Sequence, residues 1–573
     1  MGRYSPRVGL VAVTLLTLLA ACAPQTGPSG TRSAPAADAP VSTGPKRMTA
    51  AILADPPVLN TKINPGTVVT PGHEELERLL NVGMAAIDEG GALRGQLAET
   101  IPTLENGLWQ LLPDGRMETT WKIKTNAKWH DGAPVTSADF LFTAQVEQDR
   151  ELPIRRDGGY DRVEGYSAPD AQTVTIRWKE PYIQADLLLN SASLLPKHIL
   201  DKTYTEDKTA LPNMAFWSTE FVGAGPFKVR DYVRGSHVVV QANDGYVLGR
   251  PKLDEIEVKF VPDINTVIAN VLSGTVDLTM GRGVSIEQAV QLRDRWPEGK
   301  AEMAFRSWMV LYPQFTNPNP QTILNVDFRR ALMHAMDRQQ MAEAIQAGVV
   351  PVAHAFLNPN EPDYKAIEPN IMKYDYSVTR TAQLIEGLGY RKGSDDMYRD
   401  ATGQLLTVPL WTTAETDIHL KAFYPVADSW QRVGVTVDQQ VLPQQRAQDR
   451  EYRAQFPNFL LWRQPNNIAS LARYHGSSTP LPENNFVGTN NARYQNPEWD
   501  AIIDRYFSTI PKADRVAVLG QAVKHMTENL NVMGLYYDTE PSFIANRLRK
   551  VDVVKADGQV MSWNAHEWEV RVN

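Results

Sequence analysis

The stretch Asn325–Gly348, NVDFRRALMHAMDRQQMAEAIQAG, predicts two consecutive amphipathic helices. Asp327 is expected to cap the first helix, because its carboxylate can accept hydrogen bonds from the free amides of the first turn. Four apolar residues recur at three- and four-residue steps and form one buried face: Phe328, Ala331, Leu332 and Ala335. This face predicts that the first helix packs against the interior of a large domain.

The second predicted helix runs from Gln339 to Ala347, and Gly348 is placed to end it in the left-handed conformation that glycine adopts easily. Three arginines of the pair, Arg329, Arg330 and Arg338, are expected to face water. The pair carries no catalytic pattern of its own. It therefore predicts a structural unit, and the function has to be sought elsewhere in the chain.

Length and composition bound the class of protein. The chain has 573 residues, which is too long for one hydrophobic core and predicts two or three domains. Hydrophobic residues make up 43% and charged residues 22%, values typical of a folded globular protein. The formal charge is −8 and the chain has no basic run, which argues against nucleic acid as a partner.

The N-terminus resembles that of a bacterial lipoprotein. Arg3 and Arg7 precede a short apolar segment that ends in Leu-Ala-Ala before Cys22, the only cysteine in the chain. Residues 1–21 are therefore expected to be a signal peptide, with Cys22 lipidated and anchored extracytoplasmically to the cell membrane. Residues 22–47 are rich in Pro, Ala, Ser and Gly and are expected to form a flexible tether reaching roughly 25–30 Å.

Five short elements follow one another along the chain. They are the turn and helix start at Lys128–Phe140 (KWHDGAPVTSADF), the glycine pair at Gly223–Phe227 (GAGPF), the unit Gly274–Asp277 (GTVD), the helix pair, and the helix end at Leu384–Tyr390. The glycine pair lacks the third glycine of a dinucleotide site, and Pro226 removes an amide. It predicts a tight backbone crossing before a strand at Phe227–Val233.

No motif for catalysis or metal binding is evident in the sequence. It contains no G-x-S-x-G, H-E-x-x-H, Walker A or C-x-x-C pattern, and its ten histidines show no spacing of three or four residues. The sequence therefore predicts neither a metal nor a cofactor. It argues against an enzyme, although distant Ser, His and Asp residues could still meet in the folded chain.

In their order and in their residues, these elements resemble the corresponding elements of the extracytoplasmic solute-binding proteins of family 5. This family includes the dipeptide- and oligopeptide-binding components of ABC importers. The resemblance runs from about Met48 to the C-terminus. It implies an α/β, two-lobed fold of the periplasmic-binding-protein type II kind, with a hinge. Two strands would cross between the lobes, near Phe305–Trp308 and Tyr536–Thr539.

The resemblance also implies a division into domains. The first lobe would comprise residues 48–85, 216–305 and 537–573, with an extra subdomain inserted at 86–215. The second lobe would comprise residues 306–536. By the same resemblance, a small solute or peptide would bind between the closing lobes of a monomer, and an ABC permease would receive it. An exported receptor or adhesion lipoprotein without transport, or an exported hydrolase, remains an alternative.

The expected ligand site lies at Leu461–Pro465 (LWRQP). This stretch resembles the pattern Gly-Trp-x-x-Asp of the peptide-binding members of the family. Trp462 keeps the aromatic residue, but Pro465 replaces the aspartate that holds a peptide's amino group. Arg463 would repel an ammonium and would suit an anionic or hydroxylated ligand, unless it pairs with a surface acid instead. Further pocket-lining candidates are Trp411, Tyr474 and His475. The sequence does not identify the ligand.

A long polar stretch at Asn466–Thr489 follows the expected site directly. It contains glycine and shows no periodicity of its own. Loops of this length within a compact domain are typically functional or mobile.

Overall fold

The computed structural model describes residues 44–63, 70–190, 194–281, 284–414, 417–443, 445–446, 449–556 and 558–571. The predicted signal peptide, Cys22 and residues 22–43 of the predicted tether lie outside this part of the chain. Within it, no helix combines the length and the apolar character needed to cross a membrane.

The described strands belong to one large sheet and four small ones. In chain order they are β1 (Arg47–Ile52), β2 (Ala85–Ile87), β3 (Leu93–Gly95), β4 (Trp109–Leu111), β5 (Met117–Lys122), β6 (Val163–Asp170), β7 (Thr173–Trp178), β8 (Phe227–Val233), β9 (His237–Ala242), β10 (Glu255–Phe260), β11 (Leu278–Thr279), β12 (Gly299–Pro313), β13 (Arg391–Lys392), β14 (Tyr398–Arg399), β15 (Thr407–Thr413), β16 (Thr436–Leu442), β17 (Phe459–Pro465), β18 (Met533–Ala545), β19 (Leu548–Arg549) and β20 (Glu569–Val570).

The described helices pack around these sheets. In chain order they are α1 (His73–Leu80), α2 (Ser137–Gln148), α3 (Lys197–Glu206), α4 (Ile264–Leu272), α5 (Ile286–Arg293), α6 (Val326–His334), α7 (Arg338–Ile345), α8 (Tyr364–Ile367), α9 (Val378–Gly387), α10 (Asp417–Arg432), α11 (Arg450–Ala454), α12 (Pro497–Ser508) and α13 (Lys512–Asn529).

The large sheet joins two lobes through its two longest strands. Its order is β16-β15-β17-β12-β18-β11-β1-β10-β9-β8, so β12 and β18 lie side by side in the middle. β12 pairs with β17 on one side, and β18 pairs with β11 on the other. The predicted crossings at Phe305–Trp308 and Tyr536–Thr539 lie within these two strands and are confirmed.

Buried apolar residues form separate cores on the two sides of the crossing. The core of the first lobe includes Ile52, Leu80, Phe227, Ile256 and Phe543. The core of the second lobe includes Tyr312, Leu332, Leu410, Phe423 and Trp499. A third cluster, formed mostly by residues between 82 and 189, includes Trp121, Trp129, Phe140 and Trp178. Separate cores linked by two strands let each lobe keep its own packing if the lobes rotate.

The ladder between the crossing strands is irregular where the lobes meet. The register shifts once between Phe305 and Ser307 and again between Trp308 and Val310. The first shift leaves Arg306 as an extra residue on β12, which is the pattern of a β-bulge. Bulges interrupt ladder hydrogen bonds and increase the local twist, so the pairing of the two crossing strands is locally weakened at these residues.

The helix pair opens the second lobe as α6 and α7, but two details of the prediction were wrong. Asn325 caps α6, because its Oδ1 accepts from the Asp327 amide at 2.8 Å. Asp327 therefore sits inside the first turn, where it pairs with Arg330 at 3.0 Å. The apolar face is buried as predicted, and Phe328, Ala331 and Leu332 are fully enclosed.

Arg329 and Arg338 do not face water; they are only 3% and 4% exposed. Arg329 donates to the carbonyls of Ile323 and Asn529, and the latter is the last residue of α13. Arg338 donates to Gly534 O at 2.9 Å and Tyr374 O at 2.7 Å. Burial lowers the pKa of Arg338 to about 10, so it stays charged at neutral pH. Backbone carbonyls replace water around both guanidinium groups, which hydrophobic periodicity alone does not reveal.

The glycine pair at Gly223–Phe227 is a tight backbone crossing, as predicted. A Cβ on Gly223 would lie 2.0 Å from Leu80 O, and a Cβ on Gly225 would lie 2.6 Å from the same atom. The His130 ring holds this segment, because Nδ1 accepts from Gly223 N at 3.1 Å and Nε2 lies 3.2 Å from Gly225 O. Burial lowers the pKa of His130 to about 4, which keeps the ring neutral. His130 therefore has a structural role.

Candidate functional site

A cavity of about 760 Å³ lies between the two lobes beside the crossing strands. The first-lobe side and the C-terminal segment contribute Glu74, Glu89, Gly90, Val553, Val554, Lys555, Ala556 and Gly558. The crossing strand β12 contributes Glu302, Met303, Phe305 and Arg306. The second lobe contributes Asn358, Asn360, Glu361, Pro362, Asn466 and Asn467. The volume lies within the usual range for small-ligand pockets, which favour positions between lobes.

Two polar side chains of the second lobe are set firmly in the cavity wall. Glu361 is 9% exposed, and Asn358 Nδ2 donates to its Oε1 at 3.2 Å, which fixes the direction of the carboxylate. Asn466 is 3% exposed, and its amide Nδ2 has no hydrogen-bond partner among the described residues. A buried donor without a partner costs free energy, so the amide of Asn466 is a place where a ligand acceptor would be favoured.

Arg306 connects the cavity to the crossing ribbon. Its guanidinium lies 3.7 Å from the Glu75 carboxylate on α1 and 4.0 Å from the Glu540 carboxylate on β18. Its backbone carbonyl accepts from the backbone N–H of Asn466 at 3.4 Å. One residue on the bulge is thereby joined to the first lobe, the second crossing strand and the second lobe.

The carboxyl group of Glu75 is buried behind this contact. Burial raises its pKa to about 7, although the nearby Arg306 acts in the opposite direction. Glu77 lies two residues further along α1, and burial likewise raises its pKa to about 7. Near neutral pH both carboxyl groups are therefore partly protonated, which places two titrating groups at the base of the first lobe.

Arg463 lies on β17 and reaches across β12 to two acids of β18. Its Nε donates to Asp538 Oδ2 at 2.5 Å, and its Nη2 donates to Glu540 Oε1 at 3.0 Å. Asp538 is only 2% exposed and also accepts from Gln346 Nε2 at 3.0 Å. Arg463 is thus paired with acids, as the alternative interpretation held, but they are inside the protein and not at its surface. Its charge is already balanced within the crossing ribbon.

Trp462 on β17 and Trp411 on β15 lie on neighbouring strands of the second lobe, outside the lining of the cavity. Trp411 stacks on Tyr452, with ring centroids 5.1 Å apart and planes 28° apart. Trp462 packs against the His419 ring at 5.1 Å, and the guanidinium of Arg453 lies 5.9 Å from its ring centroid. Both tryptophans are partly exposed. Their predicted role in ligand binding stays a prediction.

Tyr474 and His475 lie elsewhere. Tyr474 is buried in the core of the second lobe, and its backbone carbonyl accepts from Trp499 Nε1 at 2.9 Å. His475 lies near two acids, with Nε2 3.5 Å from Asp504 and 4.0 Å from Asp500. The structure therefore does not bring the five predicted ligand residues together around one cavity.

The sequence interpretation missed the residues that do line the cavity, above all Glu361 and Asn466. Asn466 and Asn467 come directly after the LWRQP stretch, at the start of the long polar segment. That segment folds into short 3₁₀ helices from Ile468 onward. The only local signal was this juxtaposition of a strand end and a polar loop. Among the described residues, no group of three or more His, Cys, Asp or Glu is placed to hold a metal ion.

Comparison with known proteins decides the family. Residues 99–507 match the sequence profile of bacterial extracellular solute-binding proteins, family 5 (middle region). The chain belongs to this family. The prediction made from the sequence motifs is thereby confirmed, and so is the expectation that the chain is a binding protein and not an enzyme.

Two curated relatives of this family 5 protein are named for peptide binding. The oligopeptide-binding protein AppA of Bacillus subtilis is 24% identical over 371 residues, which cover 64% of each chain. A putative ABC transporter peptide-binding protein of Brucella ovis is 28% identical over 289 residues, covering 50% of this chain and 51% of the relative. The chain thus matches between about half and just under two thirds of the length of these relatives.

Solved structures extend the likeness over most of the fold. The structure of AppA from Bacillus subtilis in complex with a nonapeptide covers 92% of this chain and is itself covered completely, with a TM-score of 0.67 and 19% identity. The periplasmic EDTA-binding protein EppA covers 93% of this family 5 protein, with 98% of its own chain matched, a TM-score of 0.73 and 16% identity. At these identities the likeness shows the fold alone, and it confirms the predicted two-lobed α/β class.

Proposed function

We propose that this family 5 protein captures a peptide-like or other small polar solute between its two lobes and delivers it to the permease of an ABC importer. The observation that carries this proposal is the cavity of about 760 Å³, whose wall is built from both lobes and from a crossing strand. A ligand in that position touches both lobes at once. It therefore favours the closed arrangement over the open one, since it gains contacts only when the lobes meet.

Direct contacts between the lobes support a closed arrangement beside the cavity. Lys421 on α10 of the second lobe lies 2.7 Å from the Glu287 carboxylate on α5 of the first lobe. On another side, Ile183 N donates to Phe507 O at 3.0 Å. Each of these two contacts is polar, which suits a closure that has to reverse. The names of the peptide-binding relatives favour a peptide-like ligand.

We further propose that Cys22 carries the lipid anchor and that the protein works as a monomer on the outer side of the cell membrane. The support is the sequence pattern around Cys22, together with a family whose members are extracellular. Cys22→Ser should release the protein from the membrane fraction into the soluble fraction. Full retention of that variant in the membrane fraction would contradict the anchor.

Native mass spectrometry of the purified protein tests the binding function. We expect a co-purified small solute at one copy per chain, and a change in tryptophan fluorescence on its removal and return. Small-angle scattering should show a smaller radius of gyration with the solute than without it. Absence of a co-purified solute, together with no binding from broad peptide and metabolite screens, would overturn the proposal.

A further inference from the structure

The second lobe sends one apolar side chain into the third cluster. Ile510 lies between α12 and α13 and is 8% exposed. Among the described residues it packs with the third cluster and not with the core of its own lobe. Its burial therefore depends on how the second lobe sits against the rest of the chain.

Ile183 makes the reciprocal contact from the other side. It belongs to residues 181–190, which Leu188 and Leu189 anchor in the third cluster. Ile183 itself packs against both the third cluster and the core of the second lobe. Its N–H donates to Phe507 O at 3.0 Å. Phe507 lies in the last turn of α12, whose carbonyls have no donor within the helix, so this bond satisfies a group that the helix leaves free.

Arg515 on α13 holds the loop that carries Ile510. Its Nη1 donates to Ile510 O at 2.8 Å. The same side chain acts on Asp186 across the boundary, since burial raises the pKa of Asp186 to about 7 and the positive charge of Arg515 opposes that rise. An acid enclosed on one side of the boundary is thus answered by a cation from the other side.

The boundary around these contacts is only partly filled. A cavity of about 450 Å³ lies along it. Arg162, Glu180 and Pro181 line the cavity on one side, and residues of the second lobe, among them Ser477 and Phe507, line it on the other. Protein interiors are packed without such spaces, so the two sides can part here without breaking a continuous core.

We propose that Ile183 and Ile510 form a latch that favours the closed arrangement of the lobes even when no solute is bound. Both residues lie outside the lining of the solute cavity, so the latch sets how often the protein is closed and not which solute it accepts. A solute that binds the closed form binds more tightly as the closed fraction grows. The inference rests on the proposed closing of the lobes around a solute and adds a determinant of affinity away from the solute itself.

The distance between two spin labels in solute-free protein tests the latch. Ala168 on β6 and Ala501 on α12 are exposed and lie on opposite sides of the boundary. Both are replaced with cysteine in the full-length protein carrying Cys22→Ser, so that only these two positions are labelled. Bound solute is removed by unfolding in guanidinium chloride, dialysis and refolding. Double electron–electron resonance should then show a clear population at the label separation of this structure.

Each isoleucine of the latch has a matched control. Ile510→Ala and Ile183→Ala each remove three carbons, and a buried methylene is worth about fourfold in an equilibrium constant. We therefore expect each variant to lower the ratio of closed to open protein by at least about tenfold. Ile502 packs in the core of the second lobe and is 7% exposed, and Ile101 packs against the third cluster. Ile502→Ala and Ile101→Ala should lower the melting temperature but leave the ratio within about twofold, because sites without shared partners act independently.

The outcomes separate the latch from the binding function. The latch is overturned if Ile510→Ala and the parent show the same ratio, or if Ile502→Ala lowers the ratio as much as Ile510→Ala does. A solute-free parent without any population at the closed separation overturns it too, because the latch then fails to favour closure unaided. None of these results bears on solute binding, which the co-purified solute tests. If no solute binds while the latch variants open the protein, the proposed function falls and the latch stands.

Discussion

Replacing Arg463 with methionine discriminates between two roles for this residue. The variant keeps most of the apolar stem and removes the guanidinium that bridges Asp538 and Glu540. If Arg463 holds the crossing ribbon together, the variant loses stability. If Arg463 recognises an anionic ligand, as the sequence pattern suggested, the variant loses affinity and keeps its stability.

The expected cost follows from the surroundings of Asp538. Removing one partner of a buried ion pair typically costs about 3–5 kcal/mol, because the remaining charge is left without its counter-charge. The side chain of Arg463 retains 22% of its solvent exposure, and Gln346 continues to donate to Asp538 at 3.0 Å. These two facts place the expected loss near the lower end of the range, at about 3 kcal/mol.

Urea unfolding followed by tryptophan fluorescence measures this loss. With a slope of about 3 kcal/mol/M, a loss of about 3 kcal/mol moves the unfolding midpoint of the second lobe by about 1 M. The double variant Arg463→Met with Asp538→Asn should recover most of the loss, to within about 1 kcal/mol of wild type, because the buried charge of Asp538 is removed with its partner and Glu540 keeps Arg306 at 4.0 Å. A single variant that loses less than about 1 kcal/mol, or a double variant no better than the single one, would refute the reasoning.

Two further predictions concern the first lobe and the contact between the lobes. Burial raises the pKa of Glu75 from 4.5 to about 7, so the folded protein holds a proton that the unfolded chain releases in this window. The unfolding free energy should therefore fall as pH rises from about 4.5 to 7. Glu75→Gln should reduce that fall by up to about 3 kcal/mol, while Glu77 still contributes its own part of it. Urea midpoints measured at pH 5, 6, 7 and 8 test this, and the same pH dependence in wild type and variant would contradict it. Lys421→Met removes the 2.7 Å ion pair with Glu287, both of whose side chains are partly exposed. We expect the closed form to lose about 0.2–1 kcal/mol and ligand affinity to fall by no more than about fivefold, and a much larger loss would mean that this pair does more than hold the lobes together.

The part of the fold that sequence reasoning reached is the part set by local pattern. Helix periodicity located α6 and α7, and the resemblance of short motifs located the crossing strands β12 and β18. The burial of Arg329 and Arg338 escaped it, because their partners are backbone carbonyls at Asn529, Gly534 and Tyr374. Every residue type has a backbone carbonyl, so the sequence does not show which carbonyls accept hydrogen bonds from a buried arginine.

The site was harder to predict, since its wall comes from six separated parts of the chain. The Trp462 stretch was recognised as the relevant strand, but the pattern does not say which of its neighbours face the cavity. Asn466 lies one residue beyond the stretch and lines the wall. Glu361 lies about a hundred residues earlier, in a segment without any motif. Only the folded chain brings these two side chains into one wall.

The bulge at Arg306 separates affinity from closure. Arg306 lines the cavity and is also the extra residue at the register shift of a crossing strand, so we expect it to lie close to the axis of any rotation of the lobes. A contact on the axis is about as strong in the open form as in the closed form, and such a contact does not shift the equilibrium between them. Closure has to be driven by groups carried far from the axis, such as Glu89 on one lobe and Glu361 on the other. Variants at the axis should thus change how tightly a solute is held at first encounter, and variants at the rims should change how completely it is enclosed.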